Sequence, residues 1–555
     1  MAQSNASTST NLDNFSLGTN LSEIADWSTQ YPFLNFFSNS RNWITHTDEV
    51  WDTQEYEQLQ LDEFGWLTSL SGAGDNTQYT SVSTFIPNPN NGSRFVVLYD
   101  GEGTINYRFG AVKDEAASTT GRDVFDTIPN QFLNLQITAT DPNATGDYLR
   151  NIRVVPEEYE QVNDSLIFNP DFISSLDGYS TLRFMEWMEA NNSQQSKWSD
   201  RPQVEDYNYS DGVPVEVMVE LANQTGTDPW FTIPHQATDE YIENFAQIVL
   251  ENLDPELDVY VEFSNEVWNF DFQQTHWAVA QGKQEFADSS AGNFAKGLDW
   301  YSQRTTETIQ IWEEVFNAEA DRVVGIISAQ ADNPWTGNRV LDLNWATDGS
   351  TPQDHGIDAI SIAPYFGSYL GSPQNASEVE SWTTEADGGL GKLFEELTQG
   401  GVLSNGYPGG ALQRSADSIT AYSELAQKHD LDLVAYEGGQ HLVGSRGVQN
   451  NQAITDLFIA ANRDARIGDV YQEYLDTWNE LGGGLFVHHT DVRTPSKWGS
   501  WGAKETIYQE NAPKYDALIN YNAKEVSEPS SVITTLLLGV VILLKCPLGK
   551  KLLGR

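Results

Sequence analysis

The sequence predicts an α/β fold: a (β/α)8 TIM barrel with an inserted antiparallel β-sandwich domain and a C-terminal hydrophobic tail helix. Three observations predict it. From about Thr181 onward, short apolar runs alternate with amphipathic helical stretches, the pattern of βα units around a parallel sheet. Between Trp66 and Val155 this rhythm gives way to short alternating runs broken by turns. After Ser531 comes an apolar run, Val532 to Leu544, followed by Lys545, Lys550, Lys551 and Arg555. The division that follows is 1–60 for the start of the barrel, 61–160 for the insertion, 161–525 for the remaining barrel and 526–555 for the tail.

The elements follow in order. Residues 15–21 supply a first strand. In the insertion, 79–85, 95–99, 104–109 and 132–138 read as strands, separated by turns such as Pro87-Asn-Pro-Asn-Asn-Gly92. Strand 181–186 leads to a helix over 215–223, with Pro214 suited to its first turn. Strand 230–235 precedes a helix over 239–253, whose Ile242, Phe245, Val249 and Leu253 share one face. Strand 259–264, a long helix over 293–316 and strands 323–329 and 358–363 come next. Helical segments 390–397 and 416–428 lead into strand 433–436. A helical stretch over 452–481, strand 484–488 and a helix over 512–521 complete the barrel, whose eight strands suffice to close it.

The 555 residues are 39% hydrophobic and 12% aromatic, enough for a folded core. The 17 Trp and 23 Tyr serve cores, and they also make flat platforms for sugar rings. Asp and Glu number 80 against 30 Lys and Arg, a net charge of -50 that repels nucleic acid, anionic lipid and polyanionic substrates. The one cysteine, Cys546, permits no disulfide within the chain and no Cys-based metal centre. The polar start, Met1-Ala-Gln-Ser-Asn-Ala, is no secretory signal as written. The tail argues for export all the same, so a truncated start is the expectation.

The chemistry is carried by strand ends, which face one pocket in a barrel of this kind. In Val261-Glu-Phe-Ser-Asn-Glu-Val-Trp-Asn269, Asn265 and Glu266 fall where the fourth strand ends. In Leu433-Val-Ala-Tyr-Glu-Gly-Gly439, Glu437 ends the seventh. Two carboxylates across one pocket are what glycosidic cleavage needs, one to protonate the leaving oxygen and one to attack the anomeric carbon. Retention requires them to stand about 5 to 5.5 Å apart. No phosphate-binding glycine loop and no Gly-X-Ser-X-Gly elbow competes with this reading. Trp268, Trp498 and Trp501 lie in loops after the fourth and eighth strands, as stacking platforms or as packing. His235 ends the third strand, as a sugar contact or a buried, satisfied histidine. His488 and His489 are adjacent and so point apart on a strand, and no metal or other cofactor is expected.

Over 181–504 and the first strand, the chain resembles the clan A retaining glycoside hydrolases. Asn265-Glu266 matches their acid/base Glu preceded by Asn, and Glu437 matches their nucleophile; Val267 stands where many members have Pro. The resemblance implies that Asn265 hydrogen-bonds the sugar 2-hydroxyl. It also implies that Arg183 on the second strand lies near the nucleophile, a structural ion pair being the other reading. Tyr365, after the sixth strand, either hydrogen-bonds the nucleophile or belongs to the core. The tail, Glu528-Pro529-Ser530-Ser531 with the apolar run and basic end, resembles PEP-CTERM sorting signals, with Ser527 at the first proline position. That resemblance implies membrane association through the tail, exosortase-like processing and an extracellular or cell-surface location. The expected function is retaining hydrolysis of a β-linked neutral polysaccharide. A non-catalytic carbohydrate- or matrix-binding protein on the same barrel is the alternative.

Overall fold

The computed structural model describes residues 15–70, 78–162, 165–343 and 349–527. Eight parallel strands close into a barrel in chain order: Ser16–Asn20, Thr181–Arg183, Asp228–Ile233, Val259–Phe263, Val323–Ser328, Ala359–Ile362, Asp432–Ala435 and Gly483–His488. The ring is sealed where Ser16 to Thr19 run beside Leu485 to His488. These strands are buried along nearly their whole length, as expected of a parallel sheet covered on the outside by helices and packed within.

The covering helices form where the sequence provides stripes and stops. Helix Val215–Thr225 follows Pro214 and ends at Gly226, whose φ of 64° an L side chain adopts only with strain. Thr238 caps helix Asp239–Asn252 by accepting from the Tyr241 N–H. The stretch 452–481 is two helices, Gln452–Arg463 and Arg466–Glu480, because Asp464 is extended and ends the first, its carboxylate accepting from the Arg466 N–H. Helix Gln273–Glu285 was not visible in the sequence pattern. Its buried positions are Gln274, Thr275, Ala278 and Gly282, which make no apolar stripe. It lies against helix Asn293–Phe316 so closely that a Cβ on Gly282 would stand 2.1 Å from the Lys296 carbonyl oxygen.

Between the first and second barrel strands the chain forms two four-stranded antiparallel sheets. One runs Ile44–His46, Ser81–Ile86, Leu133–Thr140, Gly103–Phe109. The other runs Arg150–Pro156, Arg94–Asp100, Arg122–Thr127, Ala111–Lys113. Val82, Ile86, Leu135 and Ile137 of the first share an apolar cluster with Phe95, Val97, Phe125 and Val154 of the second. Strand Ile44–His46 pairs within this unit, so its sheet draws on residues ahead of 61. The last helix, Pro513–Ser527, extends past 521. Residues 528–555, with the apolar run and its basic flank, lie outside the described residues. No described helix is long and apolar enough to cross a membrane.

Candidate active site

Charge is concentrated on the barrel axis. The Arg183 side chain is fully buried at the end of the second strand, and its guanidinium is the hub of the site. It donates through Nη1 to Asn20 Oδ1 at 2.9 Å and to Glu437 Oε1 at 3.1 Å. Through Nη2 it donates to Asn265 Oδ1 at 2.9 Å, and through Nη2 and Nε to Glu262 Oε2 at 2.8 and 3.1 Å. Glu262 is also held by Trp230 Nε1 and by the Thr232 and Ser328 hydroxyls. With this many donors, a buried carboxylate is tolerable. Arg183 thereby joins four strand ends.

Glu437 follows the seventh strand, and its other oxygen accepts from the Tyr365 hydroxyl at 2.9 Å. The chain leaves at once through Gly438, where a Cβ would stand 2.3 Å from the Phe486 ring, and Gly439, at φ 127°. Glu266 leaves the fourth strand through backbone in the left-handed region, Ser264 at φ 62° and Glu266 itself at φ 42°. Such conformations cost roughly 1–3 kcal/mol each in non-glycine residues and cluster at functional sites. They turn Glu266 so that Oε1 accepts from the Tyr436 hydroxyl and Oε2 from Asn269 Nδ2, both at 2.9 Å. Tyr436 directly precedes Glu437, and its ring lies 5.0 Å under the Arg183 guanidinium. One tyrosine thus links the two glutamates.

The environments of the two carboxyls differ. Burial raises both above the ordinary carboxylate range. Against that, Glu437 touches the Arg183 cation directly and takes the Tyr365 proton donor. Among the described residues no cation contacts Glu266; its donors are neutral, and the charge of Glu437 pushes it further up while that of Arg183 draws it down. The two carboxyls thus share burial and differ in their partners: a cation and a hydroxyl at Glu437, a hydroxyl and an amide at Glu266. His489 Nδ1 stands 4.0 Å from Glu437 Oε1, and burial lowers its pKa to about 3, so the ring is neutral.

Arg183, Asn265, Glu437 and Tyr365 thus form one hydrogen-bonded chain, with Glu266 joined through Tyr436. Asn265 also donates to Asn191 at 3.1 Å. His235 is not part of this set. It is buried edge-on against Trp277, 6.0 Å away, its pKa lowered to about 4 by burial alone, and among the described residues no hydrogen bond or ion pair ties it to either glutamate. Trp268 is buried in the barrel's apolar cluster, tilted against Tyr436, with little ring face left for a sugar. Trp498 is 62% exposed and lines a cleft of about 440 Å³ with Trp27, Glu23, Arg493 and Trp501. Trp501 connects that cleft to the carboxylates: its indole N–H donates to the Trp498 carbonyl and its ring packs edge-on to Tyr365 and His489.

Tyr436, Asn269, Asn20 and Glu262 belong to the site without having been singled out from the sequence, and His489, weighed there only as a metal ligand, stands beside Glu437. Tyr436 and Asn269 flank the glutamates, Asn20 ends the first strand, and Glu262 is a charge inside an otherwise apolar parallel strand, itself a signal. Among the described residues no group of three His, Cys, Asp or Glu is arranged to hold a metal ion.

A closed parallel barrel with two buried glutamates at its strand ends, each held by its own donors, is the class that fold and site define. No family model matches the sequence, and no curated protein matches it. Among solved structures, the chain is similar to a Bacteroidetes-affiliated GH5 cellulase linked with a polysaccharide utilization locus, at 10% identity over 66% of this chain and 85% of that one, TM-score 0.36. It is similar to a glycoside hydrolase family 5 mannosidase from Rhizomucor miehei, at 11% identity over 64% and 86%, TM-score 0.33. A third is a GH5 xyloglucan-specific endo-β-1,4-glucanase from a metagenomic library, in complex with cellotriose, at 12% identity over 64% and 87%, TM-score 0.31. At such identities and TM-scores, the activity of this chain has to be argued from its own residues.

Proposed function

We propose that the protein is a retaining O-glycoside hydrolase acting on a β-linked, neutral polysaccharide. The observation that carries this reading is the unequal treatment of two carboxyls at the barrel's strand ends: Glu437 held by Arg183 and Tyr365, Glu266 held by Tyr436 and Asn269. Glu437, ionised, attacks the anomeric carbon as Glu266 gives its proton to the departing sugar oxygen. The C–O bond to the leaving group breaks, and a glycosyl ester forms on Glu437. Glu266, now a carboxylate, takes a proton from water; the resulting attack on the anomeric carbon frees Glu437 and restores both groups. Asn265, beside Glu266, offers its amide to the sugar ring at the scissile bond. The net charge of -50 supports a neutral substrate. A cell-surface location is proposed on the tail sequence alone.

The test is a panel of neutral β-glycans incubated with the native chain, Glu437→Gln and Glu266→Gln. Native protein releases reducing ends, and the anomeric signal of the first product has the configuration of the bond cleaved. Glu437→Gln releases none, and Glu266→Gln is slower by about 10²–10⁴-fold. Release by Glu437→Gln at the native rate sinks the mechanism. Binding without release by native protein and variants alike identifies a carbohydrate-binding protein on the same barrel instead.

A further inference from the structure

The first sheet of the insertion turns Val82, Ile86, Leu135 and Ile137 inward, so Phe85, between Thr84 and Ile86, faces the other way. On that outer side stand Trp51, Phe109 and Phe132, 42%, 52% and 72% exposed. Their rings surround Phe85 at centroid distances of 5.9 Å (Trp51), 6.1 Å (Phe109) and 5.9 Å (Phe132). The Arg108 guanidinium lies over Trp51 and Phe109 at 5.0 and 5.5 Å. A contiguous group of exposed rings on a soluble surface marks an interaction site.

The group is continuous with the cleft. Arg41, held by Asp26 through two hydrogen bonds, lies 5.1 Å from the Phe85 ring and 5.5 Å from the Trp27 ring. Trp27 is 62% exposed and forms the wall of the cleft shared with Trp498 and Trp501. A path of aromatic and guanidinium faces therefore runs from Phe132 to Tyr365, which bonds Glu437.

We infer that the outer face of this sheet is a binding surface for the same extended, neutral polysaccharide chain that enters the cleft. Pyranose rings present C–H faces that stack on aromatic rings and hydroxyl edges that accept from guanidinium groups. Arg41 is already neutralised by Asp26, and the chain's overall negative charge disfavours anionic lipid or a polyanion as occupant. The continuity with the cleft selects a long chain over a small ligand. The inference rests on the hydrolase reading only for the class of polymer to be offered.

The test uses the full chain carrying Glu437→Gln, so that polymers survive. Affinity electrophoresis in gels containing soluble neutral β-glycans compares it with the same protein bearing Trp51→Ala or Phe132→Ser, and with Trp335→Ala, an exposed tryptophan on helix Pro334–Leu341, as control. Circular dichroism checks each fold, and Phe132, the most exposed of the rings, is the safest to replace. The expected result is about tenfold weaker binding for each patch variant, the equivalent of one lost ring contact, growing with polymer length. The control binds like its parent. Patch variants that bind long chains as tightly as the control overturn the inference, as does a parent that binds none of the polymers. The two readings fail separately. Binding that depends on the patch, with no cleavage by the native chain, removes the catalytic reading alone. Cleavage by a native chain whose patch variants bind normally removes the binding surface alone.

Discussion

Arg183 in the barrel and Arg94 in the inserted sheets each gather several carboxylates, under opposite conditions. Arg94 reaches Asp114, Asp126 and Glu157 on the outside of the second sheet, with its side chain 29% exposed. Arg183 serves Glu262 and Glu437 with no exposure at all. In the inserted unit, the interior is apolar and these charges stay in contact with water, where an ion pair is screened and contributes little. In the barrel, charges lie on the axis, where an apolar set of the same volume is often the more stable choice. The difference teaches where to look for chemistry: charge retained at a cost to stability sits at the strand ends that carry Glu266 and Glu437.

The largest expected effect breaks or upholds that contrast directly. Arg183→Met leaves Glu262 and Glu437 buried without their cation, and denaturant unfolding is expected to show a loss of about 3–5 kcal/mol. The proposed turnover is expected to fall with it, because the neutral Tyr365 hydroxyl alone then supports the Glu437 carboxylate. A variant as stable as the parent would mean the axis carries no such penalty. Next in size is a pH effect whose sign differs between the two regions. Glu186, beside Arg493 and Glu23 at the cleft, is pushed by burial from 4.5 up to about 8. The folded state therefore binds its proton more tightly than the unfolded chain does. The stability it contributes is complete below about pH 4.5 and is lost as pH rises through 8. Asp114 runs the other way: Arg94 holds its carboxyl below 3.8, so its contribution is present at neutral pH and is lost in acid. Melting temperatures of Glu186→Gln from pH 4 to 9 are expected to decline less steeply with rising pH than those of the parent; equal slopes would remove Glu186 as the cause. The smallest effect is that of Arg94→Met, whose midpoint in denaturant is expected to move far less than that of Arg183→Met and to approach the parent's at high salt.

Much of the barrel was legible because its signals are local. Helix Asn293–Phe316 was read with its observed bounds, and the eight barrel strands fall within a few residues of their predicted positions. Helix Gln273–Glu285 was not, since a helix that buries Gln, Thr, Ala and Gly against a close neighbour shows no stripe. The consequence reached the site: His235 sits at a strand end, where the pattern recommended it, but Trp277 of the unseen helix is its neighbour. Trp268 and Trp498 looked alike as loop tryptophans; one is core and the other lines the cleft.

The amino-acid sequence alone determined the periodicities, and with them the parallel barrel and the strand ends where Glu266 and Glu437 stand, because apolar spacing and turn chemistry act over a few residues. It also determined the charge that turns polyanions away. Only the tertiary structure decided that Arg183 divides itself between Glu262 and Glu437, that Tyr436 joins the two glutamates, and that Arg41 bridges the sheet's outer rings to Trp27. Those contacts join residues from distant parts of the chain, and a carboxyl's proton affinity depends on what surrounds it in space rather than on what precedes it in sequence.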